Sequence, residues 1–129
     1  MSGKGRVLII DDSEVVLSQL KQQLGAAGFD VVTTSQTVGT GRYLRGTDIV
    51  IVDFHMPGMD GSHVLESLRA ACRDMEIKPV FYLYTTDRNV AASNRALGFD
   101  GAFTEKGDYV ALLRQLQAAY RLVKMKRVP

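Results

Sequence analysis

Hydrophobic and polar positions along this chain alternate between two rhythms. Short runs that are apolar at nearly every position are followed by longer stretches in which apolar residues recur every three or four places. The first rhythm suits strands buried on both faces and the second suits helices that bury one stripe, so their alternation predicts parallel strands joined by crossover helices. The expected strands are Arg6–Asp11, Asp30–Thr34, Asp48–Asp53, Pro79–Thr85 and Gly101–Glu105, with "VLIID" and "IVIVD" apolar enough for the sheet centre. Helical stripes fall between them: Leu17, Leu20 and Leu24, then Leu65, Leu68 and Cys72, and last Leu113, Leu116, Tyr120 and Val123. A second helix, around Thr37–Arg45, carries Gly39 and Gly41, each costing about 1 kcal/mol against alanine. A fourth is expected from about Arg88 to Leu97, stopping at Gly98. The predicted architecture is α/β: a doubly wound, five-stranded parallel sheet with five helices in three layers, forming one domain over residues 1–129 with its core at about 5–124.

In such a sheet the functional crevice lies beyond the carboxyl ends of the strands. Asp11 and Asp12 close the first strand, Asp53 the third and Thr85 the fourth, while Lys106 follows the fifth. Five polar residues distant in sequence would therefore meet at one edge. Three carboxylates in a small site repel one another, and a divalent cation with oxygen ligands is the simplest relief. Mg²⁺ is the expected ion, and because it commonly shares its shell with phosphate oxygens it points to phosphoryl chemistry. A zinc site at His55 and His63 is not expected, since no further His or Cys stands at ligand spacing.

Composition narrows the setting. The 129 residues are 46% hydrophobic and 23% charged, ordinary values for a soluble domain, and no apolar run approaches the ~20 residues of a membrane span. The opening "MSGKGR" with "VLII" is too short for a signal-peptide core, and Cys72 is the single cysteine, so a reducing cytoplasmic location is expected. A net charge of +2 gives no case for direct nucleic-acid binding. The charges after Asp108, namely Arg114, Arg121, Lys124, Lys126 and Arg127, are all basic and read as a solvated helix end or linker start.

The stretches "LIIDDS", "DFHMPGMDG", "YTTD" and "FTEK" make nearly the whole chain resemble the CheY-like receiver domain of two-component response regulators, a flavodoxin-like fold. That resemblance implies a bacterial phosphoprotein in which Asp53 accepts a phosphoryl group from a sensor histidine kinase or phosphotransfer protein. It implies Mg²⁺ held by Asp12, Asp53 and the backbone carbonyl of His55, with Asp11 positioning a metal-bound water. Lys106 and the Thr85 hydroxyl would contact phosphoryl oxygens, and Thr85 and Phe103 would form the switch. The implied output is an altered surface for a downstream protein partner or output domain, with a phosphorylation-dependent homodimer also allowed. On this reading the chain is no enzyme beyond its own Mg²⁺-dependent phosphorylation and dephosphorylation. The alternative is a binding module of the same fold acting without phosphorylation. A haloacid-dehalogenase-like hydrolase is not expected, because position 55 is His where that motif needs a second aspartate. The chain departs from the family at Gly107, which replaces the usual proline, and at Thr86, whose bulk is expected to narrow access to the phosphoryl group.

Overall fold

A computed structural model describes residues 5–35, 43–56, 59–76, 78–104 and 108–127. Five strands form one parallel sheet: β1 (Arg6–Ile10), β2 (Asp30–Thr34), β3 (Ile49–Asp53), β6 (Val80–Tyr84) and β7 (Gly101–Phe103), ordered β2-β1-β3-β6-β7. Between β3 and β6, a two-stranded antiparallel ribbon, β4 (His55–Met56) with β5 (Met59–Asp60), precedes the next helix.

Successive strand residues face opposite sides of a sheet, and the strictly apolar strands supply two cores at once. Val7, Ile9, Ile49 and Ile51 meet α1 (Glu14–Ala26) and α4 (Tyr109–Arg127), while Leu8, Ile10, Val50 and Val52 meet α2 (Gly61–Met75). The predicted stripes of α1 and α2 are buried as expected. On α4 the buried stripe is Leu112, Leu116, Ala119 and Val123, one position off the predicted Leu113 and Tyr120, which are half-buried. The local sequence is apolar on both sides of that line, so packing chose the face. Tyr120 sits at its margin, edge-on to Phe29 with centroids 6.3 Å apart and under the Lys124 ammonium at 5.8 Å. α4 continues to Arg127, so the basic tail is the end of a helix. Burial pushes the Cys72 thiol above its usual pKa, the Arg69 charge opposing it, which leaves an inert core residue.

Among the described residues there are four helices rather than five. The second expected helix, Thr37–Arg45, falls largely on residues 36–42, which lie outside the described residues. The fourth, α3, is a single short helix over Arg88–Ala92 instead of reaching Leu97. Ser93 and Asn94 offer side-chain alternatives to the helical ladder, and the Asn94 amide donates to the Ala91 carbonyl at 2.7 Å, so residues 93–98 run as turns. Gly98 ends them with φ +99°, and a Cβ there would lie 3.1 Å from Leu65 Cδ2. Gly98→Ala is therefore expected to lower stability by about 1–3 kcal/mol, read as a shift of the urea midpoint at unchanged slope.

The amino edge of the sheet repeats one device. Asp48 Oδ2 accepts the Arg6 N–H at 2.9 Å, and Asp100 Oδ2 accepts the Phe81 N–H at 2.8 Å, so each carboxylate satisfies a donor at the start of a strand. Asp48 itself lies just before β3 rather than within it. Strand-end acids thus have a purely structural use at this edge, and those at the other edge must be judged by their geometry.

Candidate functional site

Register alone brings the predicted acids together. Ile10 pairs with Val52, so the next residues along, Asp11 and Asp53, end neighbouring central strands side by side. Asp53 also pairs with Tyr84 on β6, which sets Thr85 one step beyond. Asp11 is 2% exposed and Asp53 3%, whereas Asp12 is exposed. One oxygen of each carboxylate lies within 4.8 Å of the other two.

The donor set fits a hard divalent cation. Mg²⁺ takes oxygen ligands at about 2.1 Å, so two direct ligands are at most about 4.2 Å apart, and a spread of up to 4.8 Å suits two direct ligands with the third reaching through water. Asp11 is suited to the indirect position, because its Oδ1 already accepts the Ser13 N–H at 2.9 Å. That bond also shapes the start of α1, where Ser13 is the N-cap and its hydroxyl accepts the Val16 N–H at 3.3 Å. His55 follows the cluster directly on β4, so its backbone is close in sequence and fold to Asp53.

Thr85 is 1% exposed and tied in two directions. Its N–H donates to the Phe103 carbonyl at 3.1 Å, and its Oγ1 accepts the Asp87 N–H at 3.0 Å. Asp87 in turn N-caps α3, its Oδ1 accepting from Asn89 N at 3.0 Å and Val90 N at 3.2 Å. The Thr85 hydroxyl keeps its own proton to donate. Sequence reasoning passed over Asp87, although an aspartate directly before a helical segment is a recognisable cap signal. Thr86 is exposed beside this turn, and Phe103, predicted as the switch aromatic, is buried. Lys106 and Gly107 fall on 105–107, outside the described residues. A cavity of about 860 Å³ lies at the opposite, amino edge of the sheet between the end of α2 and Val123, lined by charges of both signs: Arg69, Arg73 and Lys78 with Glu76 and Asp100.

Among the described residues no helix is long and apolar enough to cross a membrane. The family described as response regulator receiver domain matches residues 7–117. A protein-glutamate methylesterase/protein-glutamine glutaminase from Caulobacter vibrioides is 32% identical over 111 residues, covering 82% of this chain and 29% of that protein. The chain spans only 9% to 38% of the length of the first curated relatives it matches. Among solved structures, a CheY-like receiver domain protein from Methanospirillum hungatei aligns with a TM-score of 0.79 at 23% identity, covering 95% of this chain and 98% of that one. The response regulator TrrA from Thermotoga maritima, solved in complex with Mg²⁺ and BeF, aligns with a TM-score of 0.73 at 21% identity, covering 89% and 98%.

Proposed function

This chain belongs to the response regulator receiver domain family of two-component systems, and on that basis we propose that Asp53 is its phosphoacceptor. The observation that carries the reading is the convergence of Asp11, Asp12 and Asp53 within 4.8 Å at the carboxyl edge of the sheet, with Thr85 on the adjoining strand end. An Asp53 oxygen attacks the phosphorus of a phosphohistidine on a sensor kinase or phosphotransfer protein. The P–N bond breaks as the P–O bond forms, and the imidazole leaves with the bond's electron pair. Mg²⁺, when bound, supplies positive charge to the oxygens of the group in flight. Asp12 and Asp53 would hold it directly with the His55 carbonyl, and Asp11 would act through water. The Thr85 hydroxyl donates to one phosphoryl oxygen, Lys106 pairs with another, and Thr86 narrows the approach of water.

The output in this proposal is a changed surface around α3, β7 and α4 that a partner protein or an attached output domain reads, in the cytoplasm. Phosphorylation is also the natural trigger for self-association through that surface. Catalysis is confined to the chain's own aspartyl phosphate. Intact-mass measurement after incubation with acetyl phosphate tests the reading: one phosphoryl adduct is expected with Mg²⁺ and none with EDTA. The absence of any adduct, or one indifferent to EDTA, would leave only a binding module of this fold.

A further inference from the structure

Tyr82 stands opposite Gly101 in the β6–β7 register, and its ring lies down across that glycine. A Cβ on Gly101 would come within 2.3 Å of Tyr82 Cε1 and 2.8 Å of Cδ1, so the ring can occupy this place only because residue 101 has no side chain. Beyond Gly101 the ring meets Phe103, two positions along β7 on the same face. The two rings are stacked, with centroids 4.6 Å apart and planes within 15°. Phe103 is 2% exposed in the core shared with Tyr84, Leu112 and Leu116, while Tyr82 is the half-buried outer member of the pair. Burial, with Asp100 adding to it and Arg95 opposing, raises the pKa of the Tyr82 phenol, so the ring stays neutral at physiological pH.

We propose that Tyr82 is a positioning residue for Phe103: seated on Gly101, its ring braces Phe103 in the core and sets how strongly the β7 surface responds to the Asp53 site. The response half of this inference rests on the phosphoacceptor reading above; the bracing half does not. A phenylalanine has no polar atom to favour one position over another, so packing alone decides where the ring sits. The face of Tyr82 is a contact that Phe103 loses on turning outward. The backbone bond from Thr85 N to the Phe103 carbonyl is indifferent to that rotation, whereas the stacked face of Tyr82 is not.

The test uses isotope-labelled full chain as the parent and as Tyr82→Leu, Tyr82→Phe and Gly101→Ala, the last forcing the Tyr82 ring off its seat while keeping both aromatics. Relaxation of the Phe103 ring protons by a soluble gadolinium chelate, without any phosphoryl mimic, reports exposure of the ring. Low enhancement is expected in the parent and Tyr82→Phe, rising severalfold in Tyr82→Leu and Gly101→Ala. The ceiling is about tenfold, the upper end of what one aromatic pair contributes. Melting curves identify any variant that fails to fold, and the other replacement then carries the test. A Phe103 ring as protected in the folded replacements as in the parent would overturn the inference, and so would equal exposure in Tyr82→Phe and Tyr82→Leu. With Mg²⁺ and beryllofluoride, β7 amide shifts should be larger in Tyr82→Leu than in the parent, and equal shifts would remove the response half. A parent that takes up no beryllofluoride would instead defeat the phosphoacceptor reading, leaving the exposure result to stand on its own.

Discussion

Asp53→Asn is expected to abolish phosphoryl incorporation from acetyl phosphate altogether and, in the presence of a chelator, to melt at a higher temperature than the parent. The amide is no nucleophile for phosphorus, which accounts for the first effect, and it carries no charge, which accounts for the second. Three carboxylates within 4.8 Å, two of them almost fully buried, repel one another when no cation lies among them. The amide has nearly the shape of the carboxylate, so the substitution removes charge without opening a cavity. Because Asp12 is solvated, relief of about 1 kcal/mol is the reasonable scale, roughly 3–5 °C for a chain of this size. Mg²⁺ should reverse the order: it stabilises the parent by binding its folded state and has less to hold in the variant. Differential scanning calorimetry in EDTA and in Mg²⁺, beside intact-mass measurements, checks all three outcomes. Persistent incorporation in Asp53→Asn would move the acceptor elsewhere, and a lower melting temperature in EDTA would mean that the cluster is not under charge strain.

The second large effect is expected from Thr85→Ala, which should still accept the phosphoryl group yet lose most of the accompanying change in α3 and β7. Taking a two-state equilibrium from 1:99 to 99:1 needs about 5.5 kcal/mol of differential interaction, while a hydrogen bond to a charged group contributes about 1.5–3. In this proposal Thr85 acts with Lys106 and backbone donors, and among the described residues it is bonded toward both responding elements. Its N–H is bonded to Phe103 and its hydroxyl oxygen to the Asp87 N–H. Alanine keeps the first bond and deletes the second together with any bond to a phosphoryl oxygen. Amide spectra with and without beryllofluoride decide the matter, since full-sized shifts in α3 and β7 of the variant would show that the signal takes another route.

Most of the architecture was legible because strands buried on both faces must be apolar almost throughout, a pattern that few other elements produce. The strand ends were within one or two residues, and with them came the meeting of Asp11, Asp12, Asp53 and Thr85, which follows from topology. What escaped depended on contacts between distant residues or on local competition. Periodicity cannot choose between Leu112 and Leu113 when both are leucine, the length of α3 turned on local competition such as the Asn94 amide bonding to the Ala91 carbonyl, and the ribbon at His55 left no apolar signature. The pairing of Tyr82 with Gly101 was equally hidden. Each residue looked ordinary alone, and only the register of β6 with β7 made the glycine a seat for the ring.

The brevity of α3 has a consequence for the time scale on which the molecule opens. The helix has no buried residue, and the turns that follow it are held mainly by bonds within residues 87–99. β1 and β3, by contrast, are enclosed on both sides. In native-state hydrogen exchange, the amides of 88–98 should lose protection through local fluctuations that leave the central strands intact, whereas Val50 and Ile9 should exchange only on global unfolding. The segment joined to Thr85 through Asp87 can therefore be rearranged at far lower cost than the central strands.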